Sequence, residues 1–236
     1  MNTGKLYLIP VPLGPVSVEE GLPVSVIAHA KTLTHFIAEN AKTARAFLKT
    51  LPTDTPLQQI TIQELNEHTP FSALPGLLAP VFSGHDIGMV SEAGCPAIAD
   101  PGAALVALAH ESGVSVRPLV GPSSILLALM GSGLSGQNFA FHGYLPAQED
   151  QRRKKIIELE KDSRRLQRTQ LFIETPYRNR QMLSTLIEAC AESTRICIAT
   201  NLTLSDESIT TRRTVDWKHQ EIPDINKRPT VFLLQA

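Results

Sequence analysis

Residues 86–102 read Asp86-Ile87-Gly88-Met89-Val90-Ser91-Glu92-Ala93-Gly94-Cys95-Pro96-Ala97-Ile98-Ala99-Asp100-Pro101-Gly102, an apolar run followed by a turn of small residues that carries two carboxylates. Such a turn presents backbone N–H groups with no bulky side chain in the way, and an open parallel sheet binds ligands outside the carboxyl ends of its strands. Asp100-Pro101 has the form of a helix start, with Asp100 as the cap. Capping leaves Ser91 to Pro96 unexplained, because a strand-to-helix connection usually takes ~2–6 residues and this one spends about nine. The segment is expected to be a ligand loop.

Three further turns close expected strands in the same way. They are Pro10-Val11-Pro12-Leu13-Gly14, Val120-Gly121-Pro122-Ser123-Ser124 and Glu174-Thr175-Pro176-Tyr177-Arg178. Each joins Gly or Pro to a small polar or acidic residue, which lets a planar ligand approach the main chain closely.

Composition narrows the classes. In 236 residues, 42% are apolar, 19% are charged and the net charge is −1, a globular balance with no overall electrostatic footprint for a polyanion. The basic run Arg152-Arg153-Lys154-Lys155, continued by Lys161, Arg164, Arg165 and Arg168, is interleaved with Glu158, Glu160 and Asp162 and is expected to be a solvated helix face. Cys95, Cys190 and Cys197 have no CxxC spacing, and the histidines are scattered, so free thiols and no metal site are expected. The start Met-Asn-Thr-Gly-Lys-Leu-Tyr carries no apolar leader and no apolar run is long enough to span a membrane, which points to a cytoplasmic protein with no membrane partner.

The elements that must hold these turns alternate. Apolar, β-branched runs at 6–11, 36–38, 60–65, 87–90 and 115–119 are separated by helix-period segments at 24–32, 41–51, 72–82 and 103–111, the pattern of βαβ units and a parallel sheet. A second series follows residue 120, with helices at 125–130, 150–166 and 179–190 and strands at 139–141, 170–174 and 196–200. It ends in two strand-like runs, 208–215 and 230–234, with no long helix between them, so antiparallel pairing is expected there. The architecture is α/β, with an N-terminal domain 1–120, a C-terminal domain 121–236 bearing a mixed sheet, and a cleft between them. Gly131-Ser132-Gly133-Leu134-Ser135-Gly136 matches G-x-G-x-x-G, but a helix precedes it and a strand follows. It is therefore a helix C-terminus rather than a dinucleotide fingerprint.

Taken in order, Leu6-Tyr-Leu-Ile-Pro-Val-Pro-Leu-Gly14, Ser91-Glu-Ala-Gly-Cys-Pro-Ala-Ile-Ala-Asp-Pro-Gly102, Pro118-Leu-Val-Gly-Pro-Ser-Ser124, Phe141-His-Gly-Tyr-Leu-Pro146 and Glu174-Thr-Pro-Tyr-Arg178 resemble the tetrapyrrole methylase family of S-adenosylmethionine-dependent methyltransferases. Within it, the chain is most similar to the branch that methylates a cytidine ribose 2′-hydroxyl of bacterial small-subunit ribosomal RNA, over residues 5 to about 204. The resemblance implies two α/β domains, S-adenosyl-L-methionine in the cleft and a homodimer. It implies Pro12 and Gly14 at the border of the cofactor, Ser91, Ala93, Gly94 and Cys95 along its methionine and sulfonium, and Ser123 and Ser124 as hydrogen-bonding residues. His142, Tyr177, Thr200 and Asn201 would flank the adenosine.

Methyl transfer to a hydroxyl needs a proton acceptor, and Glu39, Glu92, Asp100 and Glu174 are the carboxylates to choose from. Asp100 is accounted for as a cap and Glu174 as a partner of Arg178, so Glu39 and Glu92 are the expected catalytic residues. Three departures bear on the acceptor. Ala38-Glu39-Asn40-Ala41-Lys42 and Ser91-Glu92-Ala93-Gly94 stand where the branch has Ala-Glu-Asp-Thr-Arg and Ser-Asp-Ala-Gly, and the chain stops at Ala236 without the branch's basic extension. A ribosomal RNA acceptor, a small tetrapyrrole or other metabolite, and a non-catalytic cofactor-binding module therefore remain alternatives.

Overall fold

The structure, a computed structural model, describes residues 3–236. Met1 and Asn2, part of the start weighed as a leader, lie outside the described residues. The chain divides into two compact units, Met1–Ser123 and Ser124–Ala236, each with its own five-stranded sheet.

In the first unit the strands are β1 (Lys5–Ile9), β2 (His35–Ala38), β3 (Thr61–Glu64), β4 (Ile87–Val90) and β5 (Ser115–Pro118), in the order β3-β2-β4-β1-β5. All pairs are parallel. Alternation along β1 sends Tyr7 and Ile9 to a core shared with Val26, Ala44 and Leu48, and Leu6 to an opposite core with Leu78, Ile87 and Leu105. Helices Val24–Ala30 and Ala41–Thr50 cover the first face, Leu74–Phe82 and Ala103–Glu111 the second. This is the doubly covered parallel sheet that the βαβ pattern implied.

The second unit adds β6 (Phe139–Tyr144), β7 (Thr169–Ile173), β8 (Arg195–Thr200), β9 (Ser208–Arg213) and β10 (Thr230–Gln235), in the order β6-β7-β10-β8-β9. Only β6 and β7 are parallel. The last strand inserts antiparallel between β7 and β8, so the two tail strands do not pair with each other but each pairs with β8. Phe172 and Phe232 stack across that insertion with centroids 6.0 Å apart. The strand expected over 208–215 stops at Arg213, because Thr214–Lys218 turns into a helix that buries Trp217 and lets its Nε1 donate to the Ile196 carbonyl at 3.1 Å.

Two local readings change. The basic run of 152–155 is not wholly a solvated face. Arg152 is buried, donating to the Ala147 carbonyl at 2.9 Å and to Thr185 Oγ1 at 3.2 Å, while its neighbours stay outside on the helix Glu149–Leu166. Helix Ser124–Ser132 runs two residues past the expected end and stops at Gly133, whose φ of +66° is the left-handed step that terminates helices. That step places the G-x-G-x-x-G match at a helix C-terminus.

Candidate functional site

Three of the four Gly/Pro turns meet at the carboxyl ends of β1, β4 and β5 in the first unit. Val11 and Gly94 exchange backbone hydrogen bonds, Val11 N to Gly94 O at 2.9 Å and Gly94 N to Val11 O at 3.1 Å, which clasps the first turn to the loop after β4. Ser91 Oγ donates to the same Gly94 carbonyl at 3.0 Å, and Cys95 Sγ donates to Pro122 O at 3.4 Å, tying in the third turn. Gly94 has φ +73°, and a Cβ there would press on Leu13 at 3.1 Å and Pro122 O at 3.4 Å. Gly121 is needed for a different reason, since a Cβ on it would lie 2.3 Å from Pro10 Cβ. Pro12, Gly14, Ser91, Gly94 and Cys95 are thereby collected into one cradle, with Ser123 next in the chain to Pro122. Ala93 stands exposed on its rim.

The carboxylates gather beside this cradle. Glu39 follows β2 directly, Glu92 follows β4 by one residue, and Asp100 lies further along the same loop. Asp100 is not a cap. The loop makes left-handed steps at Ala97 (φ 65°), Ala99 (φ 62°) and Gly102 (φ 136°), and the helix begins only at Ala103 with Gly102 in the cap position and no side-chain bond. Asp100 instead lines a small cavity with Glu39, Ser91, Ala38 and Pro101. Burial, then the neighbouring Glu39 and Glu92, push its carboxyl from 3.8 up to about 6. Burial first, then Glu92 and Glu67, also raise Glu39 above the usual range. The reason for setting Asp100 aside fails, and it stands with Glu39 and Glu92 as one cluster of carboxylates.

Thr43 was not visible from the sequence as part of this site. Asn40 caps the helix Ala41–Thr50, its Oδ1 accepting from Lys42 N at 2.8 Å and Thr43 N at 3.3 Å, and this sets Thr43 Oγ1 2.5 Å from Glu92 Oε1. The cap was the available signal, since it fixes which side chain faces the loop after β4. Glu92, Ser91, Pro12, Gly14, Thr43 and Phe47 also line a groove of about 300 Å³.

In the second unit the fourth turn is held by an ion pair. Glu174 is buried, and its Oε1 accepts from Arg178 Nη2 at 2.7 Å, Arg178 Nε at 3.0 Å and Thr175 N at 2.6 Å, which confirms it as a structural partner. Tyr177 is 76% exposed, with Lys227 Nζ 5.8 Å from its ring centroid. Thr200 and Asn201 are buried at the end of β8, where Thr200 Oγ1 meets Thr230 Oγ1 at 3.2 Å and Asn201 Nδ2 donates to Asp206 at 2.8 Å. His142 Nε2 lies 2.7 Å from the Oε1 of buried Gln170, whose own amide donates to the Leu159 carbonyl. Ser124 opens the helix Ser124–Ser132. The segment before β10 joins these pieces, Lys227 N donating to Pro176 O and Asn201 N to Pro229 O, each at 3.0 Å.

The model for tetrapyrrole (corrin/porphyrin) methylases matches residues 5–216, nearly the whole chain. The chain belongs to the tetrapyrrole methylase family. A ribosomal RNA small subunit methyltransferase I from Streptococcus pyogenes serotype M3 is 32% identical over 202 residues, covering 86% of this chain and 66% of that protein, just under two thirds of its length. Among solved structures, the methyltransferase CobJ superposes with a TM-score of 0.65 at 18% identity over 99% of this chain and 95% of its own. Uroporphyrin-III C-methyltransferase from Thermus thermophilus, solved with S-adenyl homocysteine, gives 0.56 at 15% identity over 99% and 98%. At these identities the structural likeness establishes the fold: two α/β domains, one sheet parallel and one mixed.

Proposed function

We propose that this tetrapyrrole methylase is an S-adenosylmethionine-dependent methyltransferase that modifies a ribose 2′-hydroxyl of small-subunit ribosomal RNA. The similarity to the streptococcal ribosomal RNA methyltransferase carries the acceptor, and the carboxylates gathered at the cradle supply the chemistry that a hydroxyl acceptor needs.

The residues present fit the cofactor. The Ser91–Cys95 loop offers a half-exposed run of backbone groups with little side-chain cover, and the carboxylates next to it suit an α-amine. Pro12, Gly14, Ser91, Ala93, Gly94, Cys95 and Ser123 are assigned to it from the first unit, and Ser124, His142, Tyr177, Thr200 and Asn201 from the second. When bound, S-adenosylmethionine supplies an electrophilic methyl group on a sulfonium. The turns orient the acceptor for an in-line displacement and exclude water, a matter of positioning. The hydroxyl loses its proton to Glu39, Glu92 or Asp100. Glu92 is oriented by Thr43, and raised carboxyl pKa values make Glu39 and Asp100 stronger acceptors near neutral pH than ordinary carboxylates.

We place the protein in the cytoplasm as a homodimer; no helix among the described residues is long and apolar enough to cross a membrane. The test is incubation of the purified protein with methyl-labelled S-adenosylmethionine and unmodified small-subunit ribosomal RNA. Label on a ribose 2′-oxygen supports the reading, and no transfer despite cofactor binding refutes the acceptor.

A further inference from the structure

We propose that the helix Ala41–Thr50 is the docking element for a single-stranded stretch of RNA, with Lys42, Arg45 and Lys49 holding its phosphates while the adjoining groove takes one nucleoside. This rests on the reading of the acceptor as RNA.

The helix reads Ala-Lys-Thr-Ala-Arg-Ala-Phe-Leu-Lys-Thr, three cations and no carboxylate. Positions 42, 45 and 49 fall on one stripe of a helix, about 10 Å long. All three side chains are exposed, and no ion pair among the described residues includes any of them. Local stability does not account for Lys42, since a cation in the first turn opposes the helix dipole. The longer basic run on Glu149–Leu166 differs, because acids share its surface: Lys155 pairs with Glu158 at 2.7 Å and Arg165 with Asp162 at 2.6 Å.

What lies next to the stripe decides the partner. The neighbouring face of the same helix, Thr43, Ala46, Phe47 and Thr50, is one wall of the 300 Å³ groove, which Pro12 and Glu92 help to close. That volume is at the bottom of the range for small-molecule pockets and is enough for one base and ribose. Phe47 offers a stacking surface, and Thr43 and Glu92 offer polar contacts, the combination that receives a nucleotide splayed out of a single strand. Glu92, which lines the groove, repels phosphate from it. The backbone is thereby kept on the stripe and only the nucleoside enters the groove.

The test compares two triple variants of the full chain that each lose three positive charges. One is Lys42→Ala, Arg45→Ala and Lys49→Ala, the other Lys154→Ala, Lys161→Ala and Arg164→Ala on the second unit's helix. Binding of an unmodified small-subunit ribosomal RNA transcript is measured over a salt series, with calorimetry for S-adenosylmethionine and a thermal melt for each protein. The first triple is expected to weaken RNA binding more than about tenfold at ~0.1 M salt and to lower the salt slope by ~2, at ~0.7 per phosphate contact. Its melting temperature and cofactor affinity should match the wild type, and the second triple should bind RNA as the wild type does. Equal losses in both triples, or no loss in either, overturn the docking stripe while leaving RNA methylation standing. A wild type that neither binds nor methylates RNA overturns both readings. Dependence of uroporphyrin binding, but not RNA binding, on the three cations also overturns the proposal.

Discussion

At the scale of single residues, the loop after β4 shows how an acid can be misjudged from its neighbours. Asp100-Pro101 has the letters of a helix start, but left-handed steps at Ala97, Ala99 and Gly102 delay the helix to Ala103 and leave the carboxyl facing Glu39 and Glu92. Its folded-state pKa of about 6 lies above the ordinary 3.8, so the folded protein binds a proton that the unfolded chain has released over that interval. Stability therefore falls as pH rises from about 4 to about 6. Asp100→Asn is expected to melt like the wild type below about pH 4 and above the wild type's temperature beyond about pH 6, with the gap opening between. Melting curves across that range check the sign, and a variant less stable at pH 7 than the wild type contradicts it. The same cluster is where the proposed reaction places its proton acceptor. Glu92→Gln and Glu39→Gln should each slow methyl transfer by about 10²-fold or more if its carboxylate takes the proton, with cofactor affinity changed little. Single-turnover rates measure this, and full activity in both variants returns the role to Asp100 alone.

At the scale of elements, the helix Ala41–Thr50 links stability to the site. Asn40→Ala removes the acceptor for the N–H groups of Lys42 and Thr43 and is expected to cost about 1 kcal/mol in denaturant unfolding. The same change frees Thr43 from its alignment on Glu92 and should lower the methylation rate beyond what the stability loss explains. Asn40→Asp, which keeps the cap, should restore both. This helix was legible in the sequence from its apolar period, as were β1, β2 and β4, whose interior places in the parallel sheet are written as apolar runs, while the edge strands β3 and β5 are partly exposed and mixed in character. The contact between Thr43 and Glu92 was not legible, since it joins residues 49 apart in the chain. Arg152 was missed for a related reason. A basic residue beside Arg153 and Lys154 reads as surface, and only the packing of Thr185 and Ala147 around it shows otherwise.

At the scale of the whole molecule, each unit has its own sheet and its own buried core, the first unit two clusters and the second one. Turn chemistry announced the first unit's cradle, because Gly and Pro at strand ends are constraints that the chain carries locally. The second unit's residues were harder to assign. His142 is tied to Gln170 and Asn201 to Asp206, bonds that depend on strand order, whereas Tyr177 is 76% exposed with Lys227 Nζ near its ring. S-adenosylmethionine at ~100 times its dissociation constant should add roughly 2.7 kcal/mol to stability, read as a rise in melting temperature, and its demethylated product should act likewise. Absence of a shift with both would remove the methyltransferase reading.

The most direct measurement is nucleotide-resolution mapping of ribose methylation in small-subunit ribosomal RNA from cells with and without this gene. The account predicts a single 2′-O-methyl mark that disappears with the gene and returns with the wild type but not with a variant lacking Glu39, Glu92 and Asp100 carboxylates. An unchanged map would contradict it and leave a small-molecule acceptor or a non-catalytic cofactor-binding module.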